Sequence, residues 1–274
     1  PTAEGGQAAL DALERAMGEY NEGLFDVLVT APVNPDTMHT EEFSFSGYEA
    51  YWERWFGKSN KALSVLLKDD FRMALVTGLM PVKEAASVLT QELVMEKIET
   101  FHRSLKIDFG IDNPRIAVFS LNPYAGSGIV EGSEEEQVII PAIEAMSKRG
   151  VLCFGPYAAD TFMGSANYKH FDGVLAMYYD QGIVPFMTLA TGEGVRFTAG
   201  LPIVHTAPVH GTAYDIAGKG IASEDSFRQA IYVALDVFRR RQTEEEISAR
   251  PLRKQYYEKR DDSDKLKLDT VEED

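Results

Sequence analysis

Short apolar, β-rich runs alternate with amphipathic stretches along most of this chain, and that alternation restricts its fold more than any other feature. Residues 25–30, 73–77, 115–121, 151–154 and 173–178 read as strands. Between them, apolar residues recur three or four apart: Leu10, Leu13, Met17 and Tyr20 within 2–20, and Val88, Leu89, Leu93, Ile98, Phe101 and Leu105 within 83–106. That spacing predicts helices with one buried stripe. The order strand, helix, strand predicts α/β layers around a largely parallel sheet. Polar loops follow the strands at residues 32–35, 78–81, 122–128, 155–160 and 179–182, and are expected to converge on one cleft.

Local signals set several boundaries. Gly23 closes the first helix and Gly150 the one that runs to Arg149. Ser133 and Glu136 have the spacing of a capping box. Ser223 is expected to cap a strong helix carrying Phe227, Ile231, Leu235 and Phe238. Residues 41–57 are aromatic-rich, with Tyr48, Trp52 and Trp55 at helical spacing. Such a stripe is either a helix face packed on the core or an exposed binding patch. From residue 243 onward the chain is a charged terminal segment, and 265–274 reads as a solvated tail.

The formal net charge of −16 sets aside nucleic acid and anionic membrane as partners, since both require a cationic surface. A phosphorylated small molecule is not excluded, because it needs only a local cationic pocket. Cys153, the single cysteine, sits in an apolar run and reads as a core thiol. With one cysteine there is neither an internal disulfide nor a cysteine-based metal cage. No apolar run is long enough to span a bilayer, and a reducing cytoplasm is the expected setting. The chain starts at Pro1 without a methionine and is expected to be trimmed or partial.

The most ligand-like stretch is 209–220, with three glycines and the polar residues His210, Thr212 and Asp215. Glycines permit close backbone approach or positive φ. The stretch is either an ordinary strand-to-helix connection or a ligand loop at a strand end.

Its wording, His210-Gly211-Thr212-Ala213-Tyr214-Asp215-Ile216-Ala217-Gly218, resembles the adenosine-binding loop of the isopropylmalate-dehydrogenase-like fold. It is most similar to the 4-hydroxythreonine-4-phosphate dehydrogenase family. Val29-Thr30-Ala31-Pro32-Val33-Asn34, Leu121-Asn122-Pro123, Asp180-Gln181-Gly182 and Gly200-Leu201-Pro202 match as well, and the likeness covers roughly 2–241. The resemblance implies a three-layer α/β/α fold with two lobes and a cleft. Residues 1–32 and 200–242 would be the remnant of a nucleotide-binding lobe, and 33–199 the substrate, metal and dimerisation lobe. A first α/β segment of about a hundred residues would be missing.

The resemblance further implies a homodimer that uses NAD and a divalent metal acting as a Lewis acid. His210, Gly211, Thr212, Ala213 and Asp215 would contact NAD, in a pocket left incomplete by the missing segment. The three metal-binding histidines of the family correspond here to Leu79, Tyr124 and Tyr179. Leucine has no donor atom, and a neutral phenol is a poor ligand. No metal is therefore expected. The substrate-binding residues correspond to Tyr48, Glu49, Met187, Arg196 and His205. At the last three positions the family has lysine, asparagine and arginine. Loss of that lysine and arginine, with a new glutamate nearby, weakens any hold on a phosphate dianion. The original site is thus expected to have been erased or recut, by evolution or by engineering.

Other candidate groups each have two readings. Asp160 and Asp180 are either acid/base or weak metal ligands, or loop caps. Glu49 is either a desolvated base or a surface-helix residue. His205 is either a base or a core-edge histidine. His39, His102 and His170 have no metal spacing, and Gly126-Ser127-Gly128 is no dinucleotide fingerprint. Two function classes follow. One is an NAD- and metal-dependent dehydrogenase by origin, inactive on the family substrate. The other is a silent scaffold whose aromatic cleft, through Tyr48, Trp52, Trp55 and Tyr124, binds a protein or an apolar ligand.

Overall fold

The computed structural model describes residues 1–38, 47–57, 61–123 and 133–249. Its described strands are β1 (Val27–Val29), β2 (Leu63–Lys68), β3 (Phe71–Leu75), β4 (Arg115–Phe119), β5 (Leu152–Tyr157), β6 (Gly173–Ala176), β7 (Val195–Ala199) and β8 (Val204–Pro208). They form one sheet in the order β1-β8-β7-β2-β3-β6-β4-β5. The sheet is mixed, not largely parallel. β1–β8, β3–β6, β4–β6 and β4–β5 pair parallel, whereas β2–β3, β2–β7 and β7–β8 pair antiparallel.

Short connections explain the difference. β2 turns into β3 through Asp69 and Asp70, with Asp69 at φ 51°. β7 turns into β8 through Gly200-Leu201-Pro202-Ile203, where Gly200 has φ 82° and an added Cβ would lie 2.2 Å from the Lys61 carbonyl oxygen. Links this short can only join antiparallel neighbours. The apolar run at 200–203 is therefore a turn, and the strand that feeds the glycine loop is β8.

The helices are α1 (Ala3–Asn21), α2 (Tyr48–Phe56), α3 (Val82–Val88), α4 (Gln91–Ile107), α5 (Ile140–Lys148), α6 (Ala159–Gly164), α7 (Tyr179–Ala190) and α8 (Asp225–Ala249). The single helix expected over 83–106 is two. Thr90 caps α4, its Oγ1 accepting from the Leu93 N–H at 3.2 Å, and this breaks the run after α3. Ser133 makes no capping box. A π-helical turn (Glu135–Ile139) begins there instead, with Glu135 buried. Residues 243–249 continue α8 rather than starting a separate charged segment, and 250–274 lie outside the described residues. No described helix is long and apolar enough to cross a membrane.

Helices cover both faces of the sheet. On one face Val65, Ile116, Val118 and Phe197 meet Ile98 and Phe101 of α4, Met146 of α5 and Ala234 of α8. On the other, Leu66, Leu75, Phe119 and Ala176 meet Phe162 of α6 and Phe186 of α7. Leu28 of β1 faces the same way, beneath Leu10, Leu13 and Met17 of α1 and Trp52 of α2. Residues 1–32 and 200–242 thus supply β1, β8, α1 and most of α8 at one edge, and 33–199 the rest of the same continuous sheet. Alternation along β7 and β8 turns Arg196, Thr198, His205 and Ala207 toward the gap between these two helix pairs.

Candidate functional site

A cavity of about 180 Å³ opens in that gap. Tyr48 and Glu49, in the first turn of α2, line one side. Leu79, in the loop after β3, and Tyr179, at the start of α7, line another. Arg196 of β7 and His210 and Gly211, just past β8, complete the polar wall. Five positions linked above to metal or substrate thus share one cavity: Tyr48, Glu49, Leu79, Tyr179 and Arg196. Tyr124 lies outside the described residues. Met187 is 41% exposed, two turns along α7 from Tyr179, and is not part of the cavity wall.

Local sequence explains the arrangement. Gly47 precedes α2 at φ 130°, a conformation that side-chain-bearing residues rarely adopt. It lets the chain enter α2 with Glu49 at the positive end of the helix. In the antiparallel β7–β8 pair, Arg196 sits opposite Ala207 and Thr198 opposite His205, so small Ala207 leaves room beside the guanidinium. Arg196 Nη1 donates to Ser64 Oγ at 2.7 Å, and no described carboxylate stands within ion-pair distance.

His205 lies under the cavity floor and is fully buried. Trp52 Nε1 donates to its Nδ1 at 3.2 Å, and Thr198 Oγ1 lies 2.8 Å from the same nitrogen. An indole N–H can only donate, so Nδ1 carries no proton. Nε2 then holds the hydrogen and donates to Thr30 Oγ1 at 3.0 Å. Burial, with Arg196 nearby, pushes the His205 pKa down to about 3. His205 is a neutral strut with no path to a ligand, so the base reading falls. The same packing corrects the aromatic patch. Trp52 has 0% exposure and Tyr51 3%, while Trp55 reaches 36%. Half-buried Tyr48 stacks with Trp52 and donates to the Ala31 carbonyl. The stripe is mainly core, because Trp52 and Tyr51 close the space between α1, α2 and β8.

The wider comparisons decide the lineage. Residues 1–234 match the family model described as pyridoxal phosphate biosynthetic protein PdxA. The chain belongs to the PdxA family. A 4-hydroxythreonine-4-phosphate dehydrogenase from Bacteroides thetaiotaomicron is 64% identical over 274 residues, spanning 100% of this chain and 75% of that protein. One from Neisseria meningitidis serogroup A is 38% identical, covering 84% of this chain and 70% of its own. The crystal structure of a 4-hydroxythreonine-4-phosphate dehydrogenase from Klebsiella pneumoniae superposes with a TM-score of 0.72 at 31% identity, over 86% of this chain and 72% of that one. An isocitrate dehydrogenase from Methylococcus capsulatus, at 12% identity and a TM-score of 0.51, shares the fold.

The strand-end loops of this PdxA member do not converge on one cleft. The loops divide instead: parts of those after β1, β3, β6 and β8 line the first cavity, although β1 and β8 run opposite to β3 and β6, while residues 122–123 and 159–160 lie apart from it. Asp160 and Asp180 line a second cavity of about 550 Å³ with Ser120, Asn122 and Gln181. Neighbouring residues at the start of α7 thus serve different cavities, Tyr179 the first and Asp180 the second.

Glu135 supports the second cavity by holding the loop after β4. Glu135 Oε1 accepts from the Leu121 and Asn122 N–H groups, both at 2.8 Å, and Oε2 accepts from Asn122 Nδ2 at 3.0 Å. Burial works to raise the Glu135 pKa, but these hydrogen bonds outweigh it and hold the carboxyl below the usual range. Gln181 Oε1 accepts from the Met177 N–H and its Nε2 donates to the Ser120 carbonyl, both at 2.7 Å. Gln181, in the Asp180-Gln181-Gly182 turn, therefore clamps the ends of β4 and β6. Its bond to Ser120, 61 positions away, makes that role visible only in the folded chain.

A divalent metal does not fit the described wall of the first cavity. Leu79 offers no donor, and among the described residues no group of three or more His, Cys, Asp or Glu side chains could hold an ion. The glycine loop of this PdxA chain remains open. A Cβ at Gly211, Gly218 or Gly220 would meet nothing within 4 Å, and Gly218 and Gly220 have φ of 76° and 65°. His210, Gly211, Ala213 and Asp215 are exposed, Thr212 is half-buried, and His210 Nδ1 lies 2.9 Å from the Gly211 carbonyl. Of these five, only His210 and Gly211 border the cavity.

Proposed function

We propose that this chain is a PdxA-type oxidoreductase by descent that keeps a small-ligand cleft and does not oxidise 4-hydroxythreonine 4-phosphate. The supporting observation is the side chain of Leu79 in the cavity wall beside Tyr179, where the family resemblance calls for metal-binding histidines. A Lewis acid at that point would polarise the substrate hydroxyl. These side chains provide no substitute, and neutral His205 cannot reach a ligand. Arg196 is the single Lys or Arg side chain on the described wall, and it faces Glu49, an unfavourable setting for a phosphate dianion.

The open loop at 210–215 supports retention of an adenosine-binding surface, and NAD is the ligand the family implies. Phe227, Ile231 and Leu235 recur every four residues along α8 and are 36%, 38% and 38% exposed. That stripe supports a homodimer. The burial of Trp52 weighs against the alternative of an aromatic patch for a protein partner.

The test is metal content together with NADH formation from the phosphorylated substrate. The expected result is no bound divalent ion and no NADH above background. Bound zinc with measurable turnover would overturn the proposal.

A further inference from the structure

We infer that the cleft binds a zwitterion, a free α-amino acid without a phosphate, with its carboxylate on Arg196 and its ammonium on Glu49. The inference rests on the preceding reading that the phosphorylated substrate is not turned over.

The cationic group of this site has moved rather than vanished. By resemblance, the family carries arginine at the position of His205 and asparagine at that of Arg196. Here the guanidinium is on β7, and β8 carries a ring that is buried and neutral. Arg196 and His205 lie on the same face of paired strands, their cross-strand partners two residues apart, so the charge stays within the cleft. A guanidinium has five N–H donors, and the one hydrogen bond given to Arg196 is the Nη1 bond to Ser64 Oγ. A planar fork with spare donors matches a carboxylate.

Glu49 lines the same cavity. It forms no ion pair with Arg196 or with any other described cation. One cation and one anion therefore face a shared space without neutralising each other. A ligand with charges of both signs satisfies both, whereas a phosphate dianion meets one guanidinium and is repelled by Glu49. The volume of about 180 Å³ suits a small ligand. It falls below the roughly 300–1,000 Å³ of sites for drug-sized molecules. Val33 and Leu79 supply apolar contact for a short side chain.

The experiment is calorimetric titration of the unmodified protein with L-threonine, L-threoninamide, N-acetyl-L-threonine and O-phospho-L-threonine. L-threonine is expected to bind; the amide and the N-acetyl derivative should each bind about tenfold or more weakly through the loss of one charge-assisted contact, and the phosphorylated one about tenfold or more weakly because Glu49 repels its phosphate. In Arg196→Gln the preference for threonine over its amide should vanish. In Glu49→Gln the preference over the N-acetyl derivative should vanish. Absence of saturable threonine binding, equal binding of the blocked analogues, or tighter binding of the phosphorylated one would overturn the inference. All three are read on the unmodified protein, independent of how the variants fold. NADH formation from the phosphorylated family substrate would instead overturn the inactivity reading, so the two failures are distinguishable.

Discussion

Trp52 Nε1 donates to His205 Nδ1 at 3.2 Å, joining α2 to β8 across 153 positions of sequence. The indole hydrogen fixes the tautomer, and the tautomer fixes the bond to Thr30 on the far side of the ring. A neutral histidine in this place stitches α2, β1, β7 and β8 together beneath the cleft.

Acid should therefore destabilise the fold through His205. In the unfolded chain the imidazole takes up a proton near its ordinary value of 6.5, but in the folded protein only near 3. The unfolded state binds the proton first as pH falls. The contribution is fully present above about pH 6.5 and is lost progressively toward pH 3, up to on the order of 4 kcal/mol. Urea unfolding followed from pH 7 to 4 should show this slope, and His205→Asn should flatten it. An unchanged slope in the variant would refute the assignment.

Removing the indole should cost more than removing its hydrogen bond. Trp52→Ala opens a cavity among Leu13, Met17 and Tyr51 and should lose about 3–5 kcal/mol. Trp52→Phe keeps most of the volume, and Thr198 still reaches Nδ1, so about 1 kcal/mol is expected. Denaturation midpoints of both variants check the order, and equal losses would contradict it.

Arg241 anchors α8 to the end of α4. Its Nε donates to Asp108 Oδ1 at 2.7 Å, and Nη1 donates to the Leu201 and Pro202 carbonyls, both at 3.0 Å. The Asp108 side chain is 4% exposed and also accepts from Ser104 Oγ at 2.6 Å. Arg241→Met strands that carboxylate and should cost about 3–5 kcal/mol, as measured by chemical unfolding. The double variant with Asp108→Asn should recover part of the loss.

Glu135 holds the β4 loop through three hydrogen bonds. Glu135→Ala leaves two backbone N–H groups without their acceptor and should cost about 2–4 kcal/mol. Glu135→Gln should cost less. Because the folded carboxyl titrates below the usual range, its contribution is present above that range and is lost as pH falls through the folded value. A wild-type-like acid limb in the alanine variant would argue against this.

Much of the fold was legible in local pattern. Leu10, Leu13 and Met17 marked the buried stripe of α1, and the glycine loop after β8 marked the family. The β7–β8 turn was not legible, because Gly200-Leu201-Pro202-Ile203 is as apolar as a strand and only the register of its flanks reveals a hairpin. The break at Thr90 was hidden because the apolar spacing continues across it. At the site, the residue types at Leu79, Tyr179, Glu49 and Arg196 could be read directly, but not their company. Nor did sequence separate Asp160 and Asp180 into another cavity, since Asp180 adjoins Tyr179 in the chain.

Ordered motifs carried the likeness to the PdxA family, residue types gave the chemical means of each wall residue (a leucine that cannot ligate, an arginine that is always charged), and the spacing of apolar residues established the alternating layers. Side-chain periodicity carries that much because it is a property of each segment. Long-range pairing settled what periodicity cannot reach. The register of β7 on β8 put Arg196 into open space and Thr198 against His205, and packing of α2 over them sealed the imidazole away from water. Whether a polar group is a ligand contact or a neutral strut depends on the burial that distant segments impose, and burial becomes defined only when those segments meet.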